Sequence, residues 1–155
     1  MSKNKIEFPK LNGKNIKIGV VMARWNYDIT SSLTASCLEA LQGSGLQRKN
    51  VIICEVPGSF ELPLAAQDLI KKKKVDAVVA IGCLIKGETM HFEYIADATA
   101  NGLMRVSLDT GKPVIFGVLT CLTEKQAKAR ATGENNHGYG WGMTAVEMAL
   151  QSKNK

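Results

Sequence analysis

Apolar positions fall into two kinds of run along the chain. Four short stretches, 16–23, 51–56, 77–82 and 114–119, are nearly continuous Val, Ile, Ala and Gly, and each ends in turn-forming residues. Lacking period-two alternation, such runs mark strands covered on both faces, as in a parallel sheet. Between them, apolar residues recur three and four apart. Leu33, Cys37, Leu38 and Leu41 predict a helix over 29–41, stopped at Gly43-Ser44-Gly45, and Leu64, Ala65, Leu69 and Ile70 predict one over 60–73. A third, over 89–108, carries Phe92, Ile95, Ala96, Leu103 and Val106. Its interior Gly102 costs about 1 kcal/mol relative to alanine. Thr123-Glu124-Lys125-Gln126 has the side chains of a capping box and opens a short helix ending near 131. A Gly/Asn-rich bend over 133–140 follows, then a last helix over 142–150.

Strand and helix alternate four times, with connections long enough for right-handed crossovers. The pattern therefore predicts one α/β domain over residues 1–155: a three-layer α/β/α arrangement around a four-stranded parallel sheet. Residues 1–14 would form an extended N-terminal arm.

Composition supports that reading and narrows the function. Of 155 residues, 45% are apolar and 22% charged, enough for a sizeable core and unlike a disordered chain. Twenty Lys and Arg against fourteen Asp and Glu leave +6, but the basic residues are scattered. The one dense run, Lys71 to Lys74, closes the second helix, where it complements the helix dipole. No nucleic-acid partner is expected from this distribution. No run approaches the roughly 18 apolar residues of a membrane span, and the N-terminus lacks a signal-peptide pattern, so a cytoplasmic protein with no membrane partner is expected. Cys37, Cys54, Cys83 and Cys121 are far apart with no C-x-x-C pair, which predicts free thiols, mostly buried, rather than disulfides or zinc.

In an open parallel sheet, ligands gather beyond the carboxyl ends of the strands. At the first exit, Trp25 in Arg24-Trp25-Asn26 either lids the core or offers a flat face to a heterocycle. At the second, Pro57-Gly58 turns the chain and Ser59 can cap a helix. There Glu61 either complements the helix dipole or accepts hydrogen bonds from a polyol or amine. The third exit runs Gly82-Cys83-Leu84-Ile85-Lys86-Gly87-Glu88-Thr89-Met90-His91. Gly82 would open the loop, and a helix starting near Glu88 or Thr89 would present free N–H groups to a phosphate. Lys86 either adds charge or is simply exposed. His91, in the first turn, is either a structural hydrogen-bonder or a proton relay, since imidazole takes and gives protons near neutral pH. In the fourth region lie Phe116, Arg130 near a helix end and His137 in the bend; Arg130 and His137 are potential anion ligands. Nucleophile-elbow, Walker, dinucleotide-binding and metal-spaced motifs are absent.

Taken together, these segments resemble one family in order and nearly end to end. Arg24-Trp25-Asn26, Val56 to Pro63 (VPGSFELP), Gly82 to Phe92 (GCLIKGETMHF), Pro113 to Thr120 (PVIFGVLT) and Ala145-Val146-Glu147-Met148 are similar to the motifs of 6,7-dimethyl-8-ribityllumazine synthases. That resemblance implies a flavodoxin-like sheet and a transferase of the penultimate step of riboflavin biosynthesis. It condenses 5-amino-6-(D-ribitylamino)uracil with 3,4-dihydroxy-2-butanone 4-phosphate, releasing phosphate and water, without metal or organic cofactor. By the same resemblance Trp25 stacks on the pyrimidine. Ser59, Phe60 and Glu61 hold the ribityl chain and ring, while Cys83, Leu84 and Ile85 meet the pyrimidinedione through backbone groups. Glu88, through its amide, and Thr89 bind phosphate, and His91 is the catalytic proton-transfer residue. A neighbouring subunit would complete each pocket with Phe116, Arg130 and His137, the last standing where many bacterial members carry lysine. The resemblance further implies pentamers, here expected to build sixty-subunit icosahedral shells, and an association with riboflavin synthase. The alternative is a non-catalytic flavin- or lumazine-binding or shell-forming protein on the same fold.

Overall fold

The structure, a computed structural model, describes residues 6–154. Four strands form its centre: β1 (Ile18–Ala23), β2 (Val51–Val56), β3 (Ala77–Ile85) and β4 (Val114–Cys121). All pair in parallel, in the order β2-β1-β3-β4, a flavodoxin-like order. Five helices connect and cover them: α1 (Tyr27–Gly43), α2 (Leu62–Lys73), α3 (His91–Thr110), α4 (Glu124–Arg130) and α5 (His137–Lys153). Residues 6–13 carry neither helix nor strand, and residues 1–5 of the expected arm lie outside the described residues.

Two cores flank the sheet, which explains the continuous apolar runs. On one face Ile18, Val20, Val79 and Ile81 pack with Ile29, Leu33, Cys37 and Leu41 of α1, Ala127 of α4, and Ala145, Val146 and Ala149 of α5. On the other, Val21, Ala23, Val78 and Ala80 pack with Leu62, Ala66 and Leu69 of α2 and Leu103 and Val106 of α3. All six β1 residues are buried, as expected of a strand inside a covered sheet.

Expected element bounds shift in several places, the following among them. The first strand begins at Ile18 rather than 16. The third continues through Gly82-Cys83-Leu84-Ile85, because β4 runs alongside it as far as the pair Ile85–Cys121. Gly82 therefore does not open a loop. It is a strand residue whose missing Cβ leaves room for Ser59 and Leu62. The third helix correspondingly starts at His91, not at Glu88 or Thr89, which lie in the bend before it.

The supposed bend at 133–140 is mostly helix. After a short 3₁₀ turn at Gly133–Asn135, α5 begins at His137, capped by the Asn136 side chain, which accepts from the Gly138 N–H at 2.9 Å. Gly138 and Gly142, one turn apart, face α1 directly. A Cβ at Gly142 would stand 2.7 Å from the Cys37 carbonyl, and one at Gly138 would overlap the Leu33 carbonyl. Close backbone approach to α1 thus outweighs the poor helix propensity of the glycines.

The Thr123 capping box is as expected, with the Thr123 hydroxyl accepting from the Gln126 N–H. Lys71, Lys72 and Lys73 form the last turn of α2, and Lys74 caps it in the left-handed region. All four cysteines are free thiols. Burial drives Cys37 and Cys83 up to about 12. Among the described residues, no helix is long and apolar enough to cross a membrane.

Candidate functional site

Chain connections diverge between β1 and β3, where an open α/β sheet leaves a crevice above its strand ends. Here the strands also end at different heights. Pairing of β1 with β3 stops at Met22–Ile81, whereas β3 continues alongside β4 to Ile85. Residues Cys83 to Ile85 therefore stand above the end of β1 as a step. Backbone groups alternate sides along a strand. The Lys86 N–H donates to the Cys121 carbonyl (2.9 Å), toward β4, and the Cys83 carbonyl accepts from the Asn26 amide (2.8 Å), toward β1. Ile85, in phase with Cys83, accordingly turns its N–H and C=O to the open side: a donor and an acceptor on one edge.

Hydrogen bonds tie three strand exits together over this step. The Arg24 N–H donates to the Val56 carbonyl (2.8 Å) and the Trp25 N–H to the Pro57 carbonyl (3.1 Å), joining the first exit to the second. Asn26 joins the first to the third. Its backbone lies in the left-handed region (φ 60°), which asparagine tolerates better than most residues. That turn is what lets the side-chain amide reach Cys83.

On this frame Trp25 is 73% exposed and Phe60 60% exposed, so neither lids the core. Glu61 braces its own turn: Oε2 accepts from the Gly58 N–H at 2.9 Å. Ser59 is not the capping residue; it is buried, its hydroxyl lies against Gly82, and its carbonyl accepts from the Thr99 hydroxyl at 3.2 Å. In the bend before α3, Glu88 and Thr89 are exposed, and the Thr89 hydroxyl oxygen accepts from the His91 N–H at 3.3 Å. That leaves the Thr89 O–H proton free to donate. His91, the first residue of α3, is exposed at the same end.

Arg130 and His137 lie together elsewhere, and Phe116 is apart from both, in phase with Val114 and Val118 on the α3 side of β4. Arg130 ends α4 and His137 begins α5, and both helices cover the sheet face opposite α3. The Arg130 charge reaches His137 and Cys121. Partial burial first, then Arg130, holds His137 below the usual histidine value, while burial raises Cys121 and Arg130 pulls it partly back. His137 meets Trp141 edge-to-face, centroids 6.0 Å apart. Phe116 pairs with Ala80 on the outer strand, five residues before the end of β4, or about 16 Å at the usual strand rise. It is 42% exposed. The fold thus gathers ten of the expected site residues above β1, β2 and β3 and sets these three apart.

A concavity of about 510 Å³ lies at the outer edge of β2, beside Leu38, Leu46 and Ile53. Another, of about 250 Å³, lies at the amino end of β4, beside Leu108, Pro113 and Met148. Sequence reasoning passed over Asn26 as a brace, although a lone asparagine after a strand is a signal for a left-handed turn. It also passed over Glu93, whose partner and environment depend on a contact across the bend.

Comparison with known proteins gives the family. Residues 15–153 match the family model described as 6,7-dimethyl-8-ribityllumazine synthase. A relative from Pyricularia oryzae bearing that name is 43% identical over 181 aligned residues, covering 92% of this chain and 90% of its own. One from Schizosaccharomyces pombe, with the same name, is 47% identical over 145 residues, covering 92% and 91%.

Proposed function

The chain belongs to the 6,7-dimethyl-8-ribityllumazine synthase family, and we propose that the cleft above β1, β2 and β3 seats that family's two substrates. The reaction is a transferase step of riboflavin biosynthesis. It condenses 5-amino-6-(D-ribitylamino)uracil with 3,4-dihydroxy-2-butanone 4-phosphate and releases phosphate and water. We take residues 1–155 as one catalytic domain with an N-terminal arm at 1–14.

The observation that carries this placement is the cross-tying of three strand exits through Trp25, Asn26 and Cys83. It supports an aromatic slab beside a backbone step, with an anion loop close by. Trp25 stacks on the pyrimidine, and along the Cys83-Leu84-Ile85 step the open backbone edge of Ile85 offers the donor and acceptor that a pyrimidinedione matches. Phe60 flanks the ring. Glu61 keeps one carboxylate oxygen for the ribityl hydroxyls while the other braces Gly58, and Ser59 contributes its backbone N–H. The Glu88 amide and the free Thr89 O–H hold the phosphate.

In this cleft the 5-amino group attacks the ketone and water leaves to give the imine; phosphate is eliminated to leave an enol that becomes a ketone, and the ribitylamino nitrogen attacks it and closes the ring with loss of a second water. Holding both substrates side by side supplies much of the activation entropy. His91 moves the protons, and the phosphate ligands stabilise the leaving group.

Arg130, His137 and Phe116 act on the cleft of an adjoining protomer. Two dissimilar apolar surfaces support such an assembly. Leu64, Tyr94, Met104, Leu108 and Phe116 are exposed on the α2–α3 side of the sheet, and Leu122 and Tyr139 are exposed on the α4–α5 side. A contact between unlike patches is heterologous and makes a ring when its rotation closes. The proposed ring is a pentamer, assembled further into an icosahedral sixty-subunit shell. It works in the cytoplasm, where riboflavin synthase, which consumes the product, is the proposed associate.

The test is absorbance of the lumazine formed from both substrates. The wild-type protein turns over, and His91→Ala falls by about a hundredfold or more with its fold retained. Full activity in His91→Ala removes that residue from the mechanism.

A further inference from the structure

Lys86 and Glu93 sit at the two ends of the bend that carries Glu88 and Thr89, and their side chains form an ion pair across it. Each end is anchored. Lys86 is held to β4 by its N–H bond to Cys121, and Glu93 is the third residue of α3. The Lys86 ammonium also lies 5.9 Å from the centre of the Phe92 ring. Between the anchors little else holds the chain: Glu88, Thr89 and Met90 are exposed, and a Cβ at Gly87 would meet nothing within 4 Å.

Glu93 has a second peculiarity. Its Oε1 takes Lys86, while Oε2 is buried and has no hydrogen-bond partner among the described residues. Its negative charge is therefore offset by Lys86. Without the lysine, an uncompensated carboxylate would sit one turn from a site meant for a phosphate dianion, and like charges at that range repel.

We propose that the Lys86–Glu93 pair is a positioning staple that holds the 87–90 bend in its phosphate-binding shape and neutralises Glu93 beside it. Neither residue is assigned contact with substrate. The inference rests on the reading that Glu88 and Thr89 bind the phosphate, so the experiment carries Thr89→Ala as a separate arm.

The measurement is the KM for each substrate in Lys86→Met, Glu93→Gln, the double variant and Lys86→Arg. Each single neutralisation raises the KM for the phosphorylated substrate about fivefold, with kcat and the pyrimidine KM little changed. The double variant resembles either single one, as expected when both act through one contact, and Lys86→Arg restores the wild-type value. A lower KM in Glu93→Gln would mean that Lys86 grips the phosphate itself and would overturn the staple, as would additive single effects. Should Thr89→Ala raise the KM while Lys86→Met and Glu93→Gln do not, the staple alone is wrong. An unchanged KM in Thr89→Ala removes the loop reading and the staple with it.

Discussion

Trp25 carries the clearest residue-scale prediction. It is largely exposed although its backbone is fixed to Pro57, a costly use of an aromatic unless a partner covers it. Trp25→Ala should raise the KM for the pyrimidine substrate by up to about tenfold, and Trp25→Phe should keep most of the affinity. Steady-state kinetics with the phosphorylated substrate saturating checks both. His137 supplies a pH signature. Because the folded protein holds it below the unfolded histidine value, through partial burial and then Arg130, the folded state binds fewer protons there. The resulting stability is complete above the unfolded value, near 6.5, and is lost as pH falls through it toward the folded value. His137→Gln should therefore flatten the fall in urea midpoint between pH 7.5 and 5.5. An unaltered slope would show that other groups govern it. Chemistry at these positions was legible from residue type and from position after a strand. The Asn26–Cys83 bond, which places Trp25, was not, because it joins residues 57 apart in sequence.

Among the elements, the strands, the inward face of α1 and the Leu69–Ile70 end of the inward face of α2 followed from apolar spacing, the strands because burial on both faces leaves no other pattern. The two misread stretches share a cause: glycine read as a breaker. At Gly82 the residue makes room for Ser59 within a strand, and at Gly138 and Gly142 it makes room for α1 within a helix. Local propensity sees only the cost, whereas the compensating contact lies in another element. Gly102 is a third instance, where a Cβ would stand 2.8 Å from Pro63 Cγ of α2. Gly142→Ala tests the point because two effects oppose. Helix propensity favours alanine by about 1 kcal/mol, and overpacking in a tight contact costs about 1–3 kcal/mol. With Cys37 backbone and Ala40 both within 3 Å, the clash should win, and urea unfolding should show a net loss of stability. A more stable variant would mean that α1 and α5 part easily.

For the whole molecule, what spacing could not reveal is that the site residues divide between separate places. Ten of the candidates converge above β1, β2 and β3, while Arg130 and His137 lie on helices of the sheet face opposite α3 and Phe116 lies on the outer strand β4, on the α3 side. In the proposed ring the His91 end of one protomer meets the Arg130 side of the next, head to tail. His91→Ala and Arg130→Ala should each be nearly inactive alone, since each spoils every pocket of its ring. Unfolding the two together in equal amounts and letting them reassemble makes mixed rings, in which some pockets take His91 from one chain and Arg130 from the next. Activity should then recover to about a quarter of wild type, the share of interfaces receiving both intact halves. Recovery no greater than the mean of the two separate variants would contradict a pocket shared between protomers.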